Sequence, residues 1–192
     1  MSDDSRDKRS VNKKKEKEKR GRRWVITVIL ITFVISSSLQ MIQAGLMSRV
    51  NLAMAFVILI SFVLIGIIFD IIGVAVTSAG ETPFHSLSSQ KIRGAKEAVR
   101  LIRNADRVGS FCNDVIGDIV GIISGATTTV IVTMIISSGV NFSNFAITTV
   151  MTALVAALTI GGKAAGKRIA IEKSNSIVFF VGKMISFIAP VK

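Results

Sequence analysis

Four apolar blocks set the layout of this chain: Trp24–Leu46, Leu52–Ala79, Gly109–Ser138 and Phe145–Gly161. None of them alternates apolar and polar residues with the period of two that a half-buried strand needs. An α-helix needs roughly 20 such residues to cross about 30 Å of hydrocarbon. Four transmembrane helices are therefore predicted, the fourth being the shortest. Barrel strands would be shorter and separated by turns. The expected fold class is an all-α membrane protein, with one extra N-terminal span over residues 24–46 and a three-span domain over residues 52–190. Whether residues 109–138 form one helix or a broken one stays open.

Two further stretches read as interfacial. Over Gln90–Asn104, Ile92, Ala95, Val99 and Ile102 recur at helical spacing, while Lys96, Arg100 and Arg103 gather on the other face. That pattern predicts an amphipathic cytoplasmic helix at the headgroups. Ser176–Pro190 is apolar almost all round, short for a span, and is expected to lie along the inner interface as a C-terminal juxtamembrane helix. Residues 1–23 hold charge without apolar periodicity and predict a disordered basic tail. Gly117, Gly121 and Gly125, spaced by four, allow close helix approach, either in ordinary packing or in a homodimer seam.

Composition agrees with the blocks. Half of the 192 residues are hydrophobic, and the mean hydropathy is +0.60. The net charge of +12 changes the picture only through its placement. Lys and Arg fall in Arg6–Arg23, Lys91–Arg107 and Lys163–Arg168, each beside an apolar block. This is the positive-inside arrangement. It puts both termini on the cytoplasmic side of a bacterial cell membrane, with Trp24 at the headgroup level. The basic tail is expected to touch anionic lipid. Nucleic acid is excluded as a partner, because no aromatic residues interleave with the cations. The basic region is too long for a signal peptide, so the first block reads as an uncleaved anchor. A single Cys112 excludes an internal disulfide. The sequence ends two residues after Pro190, and no soluble domain is expected beyond it.

Candidate chemistry lies in polar residues at membrane depth, where a charge is costly and points to function. Asp70 interrupts the second block, which breaks at Ser78-Ala79-Gly80-Glu81-Thr82-Pro83. Asp114 and Asp118, four apart, share a helical face, and Asn113 precedes them. Paired carboxylates repel unless a cation or proton intervenes. Mg²⁺ takes about six oxygens at ~2.0–2.1 Å, whereas His85 and Cys112 alone offer nothing to a soft metal. The proposed ligand set is Asp70, Ser78, Asn113, Asp114 and Asp118, with Glu81 shaping the inner mouth. An alternative keeps Asp114 and Asp118 near the inner interface, neutralised by Arg103 or Arg107. No nucleophile elbow, HExxH or phosphate loop is present, so an enzyme is not expected.

The Gly80–Ser88 stretch, GETPFHSLS, resembles the SETALFSLS segment of the CNNM/CorC magnesium transporter transmembrane domain. In order, Asp106-Arg107 is similar to that family's DPDR segment, and Asn113–Asp118 to its NNLVN-like run. Gly161–Glu172, GGKAAGKRIAIE, is similar to its GEILPKALA element, and an apolar helix ending in Ala189-Pro190 follows. The resemblance implies a homodimer with three spans and a juxtamembrane helix, binding Mg²⁺ through Ser, Asn and Glu oxygens. By position, Ser78 matches one ion-binding Ser, Val74 falls where the other is expected, and Gly162 and Gly166 replace the Glu and Pro. Asp70, Asp114 and Asp118 are additions. CBS domains, usual in bacterial relatives, are not expected here. The extra span Trp24–Leu46 lies outside the family pattern.

Two other readings stand beside Mg²⁺ binding or transport. One is a non-transporting membrane adaptor or regulatory protein derived from the same domain, in which Asp residues pair with Arg or lie buried singly. The other is a proton-coupled carrier with Asp70 as relay.

Overall fold

The computed structural model describes residues 3–139 and 143–188. Residues 140–142 of the expected outer loop, and the Ala189-Pro190 ending, lie outside the described residues. Every regular element described is helical. The chain forms two compact units, residues 1–42 and 43–192.

The first unit is most of one helix, α1, Asp3–Met47. Its apolar part, Trp24–Met47, is 24 residues long, enough to cross a membrane. The charged segment ahead of it is helical from Asp3, not irregular as the sequence suggested. Lys, Glu and Arg are good helix formers. Extending an existing helix avoids the nucleation step that makes an isolated charged segment fail.

The second unit contains α2 (Leu52–Ser78), α3 (Thr82–Ser89), α4 (Ala95–Arg103), α5 (Ala105–Ser110), α6 (Gly117–Ser137), α7 (Asn144–Glu172) and α8 (Ser174–Ile188). A single π-helical segment, Phe111–Ile116, joins α5 to α6. Spans of 27, 33 and 29 residues result over Leu52–Ser78, Ala105–Ser137 and Asn144–Glu172. The third block is thus one continuous helix with a widened turn.

Asn51 starts α2: its side-chain oxygen accepts from the Met54 N–H at 2.9 Å, the usual N-cap geometry. At the other end the Ala79 N–H reaches Ala75 O. Gly80 N then donates to Asn175 Oδ1 at 3.2 Å, which ties the break to α8.

Helix direction follows from close contacts. Gly162 and Gly166 of α7 lie against Ile67 and Ile71 of α2, so the two helices run parallel. On the α5–α6 helix, Val120 meets Gly66, Asn113 meets Gly73 and Gly109 meets Thr77, so it runs antiparallel to α2. The glycines that permit close approach to or from α2 therefore include Gly66, Gly73, Gly109, Gly162 and Gly166. Of the Gly117–Gly121–Gly125 series, Gly121 and Gly125 face open space. Outward faces remain apolar, including Val57, Ile60, Leu64 and Ile68 on α2 and Val150, Leu154 and Leu158 on α7. This suits a lipid surround.

At the end where α2 and α7 finish, α3, α4 and α8 form a helical cap. Phe84 is buried with Ala75, Val76, Ala98, Ala170 and Val178, and its ring stacks on Phe179 at 6.5 Å. The predicted amphipathic helix is shorter than expected, because residues 90–94 form a turn. Gly94, at φ 90°, lies against the Lys183 backbone. Its missing Cβ lets α4 dock on α8. Of the predicted apolar face, Ala95 is buried and Val99 and Ile102 are half-buried, with Lys96, Arg100 and Arg103 exposed opposite, while Ile92, in the turn, is exposed. Toward the opposite end, Met47, Ala55, Leu59 and Ile131 form a second core, where Gln43 Nε2 donates to Thr127 Oγ1 at 3.2 Å.

Candidate functional site

Asp70 lies eight residues before the end of α2, about 12 Å along the helix axis. Its carboxylate faces Lys163 of α7, with Nζ 3.7 Å from Oδ1 and side-chain exposures of 17% for Asp70 and 28% for Lys163. Lys163 Nζ also lies 3.3 Å from where a Cβ on Gly117 would stand. Gly117 therefore leaves the space that the ammonium group fills. Three helices meet at this point.

One turn further along α2, the bare Gly73 backbone admits Asn113 from the π segment. Asn113 Oδ1 and Cγ press onto the place of the absent Cβ, with Cys112 Cβ beside them at 3.1 Å. The wide turn is closed by the Gly117 N–H on Cys112 O, a five-residue step that takes up one extra residue. Asn113 Oδ1 is buried and has no hydrogen-bond partner. Nearby, Thr77 donates its hydroxyl back to Val74 O at 2.9 Å.

The predicted ligand set divides. Asp70 and Asn113 turn inward within one turn of each other along α2. Asp114 and Asp118 share a face, as their spacing required, but that face is exposed. Ser78 is exposed at the last turn of α2. The two-walled site with Asp70 opposite both Asp114 and Asp118 therefore does not form: among the described residues no three His, Cys, Asp or Glu side chains converge. The physical reason is how this helix packs: Cys112, Asn113 and Val120 meet α2, and Gly117 meets Lys163 of α7. Positions 114 and 118 fall on the opposite side. They are not neutralised by Arg103, which engages Glu81 instead.

Lys163 is the functional candidate that sequence reasoning missed as a partner. A signal was present: it follows Gly162 and precedes Gly166, two glycines one turn apart that bring α7 onto the helix of Asp70.

At the break, Arg103 Nε donates to Glu81 Oε1 at 2.5 Å, and His85 Nε2 lies 3.1 Å from the same oxygen. The Arg103 hydrogen bond, aided by the charges of Arg103 and His85, holds the Glu81 carboxyl below its ordinary 4.5. A lowered carboxylate adds stability above its unfolded pKa, and that stability is lost as pH falls through the folded value. Arg103→Gln is expected to show a small loss of thermal stability at pH 7, shrinking to nothing as the pH is taken from 4.5 downward through the folded value. A difference that persists at the acid end would separate the Arg103 contribution from Glu81 ionisation.

No protein family, curated protein or solved structure matches this chain.

Proposed function

We propose that this membrane protein binds a divalent cation, Mg²⁺ foremost, and carries it across the bilayer through the Asp70–Asn113 region. The observation that supports this most is the buried Asn113 Oδ1 without a partner. An unsatisfied buried carbonyl costs about 1–3 kcal/mol, and such atoms are uncommon and call for a cause, a bound water or ion among them. It sits on a π segment, a distortion frequent at functional sites, one turn from a carboxylate at membrane depth. Oxygen donors of this kind suit a hard cation. The resemblance to the CNNM/CorC transmembrane domain places an Asn-bearing helix at the same point in chain order.

In this reading Lys163 is the resident positive charge that stabilises Asp70 between ions, and a bound cation takes over that role. Glu81 and Ser78 stand toward the basic mouth. Positive-inside placement makes that mouth cytoplasmic. A homodimer belongs to the proposal, because the exposed face of the π segment and α6 bears Asp114, Asp118, Gly121, Gly125, Thr129 and Thr133, which lipid solvates poorly. A second copy would cover it, with Gly121 and Gly125 allowing close approach. The adaptor reading is favoured by one observation, the Lys163–Asp70 pair itself, since a neutralised Asp needs no ion.

Asn113→Leu separates them. With the orphan oxygen removed at nearly constant volume, thermal stability should rise by about 1 kcal/mol. Mg²⁺ affinity, measured calorimetrically in detergent, should fall at least about tenfold, and uptake into vesicles should stop. Unchanged Mg²⁺ binding in Asn113→Leu, or none in the wild type, would sink the cation reading.

A further inference from the structure

Away from the helix-crossing site, a cleft of about 490 Å³ opens where the 90–94 turn meets α8. Lys91, Arg93 and Lys96 line it, together with Ile92 and Phe187. Among the described residues none of the three cations has an acidic partner. The backbone is shaped to present them: Lys91 has φ 56° and Gly94 φ 90°, so the chain reverses tightly and fans the three side chains around one opening. A left-handed Lys costs energy that the surrounding contacts must supply. The first turn of α4 closes the same cleft and adds the partial positive charge of a helix start. Glu97 is the one carboxylate on the lining and is only 6% exposed.

Further along α4 a second cleft, about 370 Å³, shares Glu97 with the first and is lined also by Arg100, Arg107 and Ile185. In the first the cations come from the 90–94 turn and α4, in the second from α4 and α5, and α8 adds apolar surface to both. Phe180, Met184 and Phe187 of α8 are exposed at 63%, 53% and 71%. Cationic groups standing beside bare apolar side chains, at the basic end of a bundle of spanning length, match a lipid with its phosphate and acyl chain side by side.

We infer that the cleft at Lys91, Arg93 and Lys96 is a binding site for the phosphate headgroup of an anionic phospholipid of the surrounding bilayer. The acyl chain runs over Phe187. The three cations hold the phosphate oxygens as charge-assisted donors, and α4 and α8 are held at the interface by the lipid they share.

The full chain in detergent micelles is titrated with dioctanoyl phosphatidic acid, dioctanoyl phosphatidylcholine and inorganic phosphate, with binding read by native mass spectrometry and thermal shift. Wild-type protein should bind phosphatidic acid well above phosphatidylcholine and leave inorganic phosphate unbound. The triple variant Lys91→Gln/Arg93→Gln/Lys96→Gln should weaken phosphatidic acid about tenfold or more. A control of equal charge change, Lys167→Gln/Arg168→Gln/Lys173→Gln, should stay within about twofold of wild type. Phe187→Ser keeps all three cations and should weaken the lipid about threefold. Equal weakening by both triple variants would show diffuse charge attraction and overturn the site. Inorganic phosphate bound as tightly as the lipid would assign the cleft to a free anion and overturn the lipid.

Discussion

Asp70→Asn and Lys163→Gln should each destabilise the bundle, and the double variant should recover most of the loss. Removing one partner of a buried ion pair leaves the other charge uncompensated, which costs about 3–5 kcal/mol when both are fully buried. Here the separation is 3.7 Å and the side chains keep 17% and 28% exposure. A loss on the order of 2 kcal/mol per single variant is the reasonable size. Thermal unfolding in detergent, run as a double-mutant cycle, measures the coupling. Additive losses would mean that the two side chains do not act on each other. Cation binding gives a second readout. If Lys163 holds the charge of Asp70 between ions, Lys163→Gln should bind Mg²⁺ several-fold more tightly despite its lower stability, while Asp70→Asn should bind it weakly. Tighter binding in a less stable variant is not what a purely structural pair produces.

Gly73→Ala should be the most damaging single-methyl change in the spanning helices. The added carbon would land on the Asn113 amide, 2.8 Å from Cγ and 3.1 Å from Cys112 Cβ. Both neighbours belong to the π segment, so relief requires α2 and that segment to separate or Asn113 to rotate away. Overpacking of this kind costs about 1–3 kcal/mol, and the displaced oxygen should take Mg²⁺ binding with it. Gly161→Ala, on α7, provides the internal contrast, since nothing lies within 4 Å of its added carbon. There the substitution should be neutral or stabilise by up to about 1 kcal/mol through helix propensity. Equal behaviour of the two variants in thermal unfolding would contradict the close approach at Gly73.

The spans were legible because lipid demands long apolar runs, and that demand is written residue by residue. The break after Ser78 and the amphipathic pattern of α4 were legible for similar reasons, from Pro83 and from the spacing of Ala95, Val99 and Ile102. What was not legible was azimuth. Asp70 and Asn113 announce themselves as misplaced polar residues, but their partners depend on how helices rotate against each other. Gly73 admitting Asn113, and Gly117 making room for Lys163, are events between distant segments that no local pattern records. The spacing of Asp114 and Asp118 correctly put them on one face and said nothing of which way that face turns. The glycine series at 117, 121 and 125 drew attention by its regularity, but only Gly117 of the three makes a close contact within the chain, while Gly66, Gly73, Gly162 and Gly166 do so on α2 and α7.

The widened turn at Phe111–Ile116 acts as a phase shifter. One extra residue in a helix of 3.6 residues per turn rotates everything on one side of it by about 100° relative to the other. Gly109 below the turn and Val120 above it both meet α2, and the helix passes through the widened turn without a loop. Asn113 sits inside that turn, so the placement of its oxygen against Gly73 depends on the one surplus residue that the helix carries there.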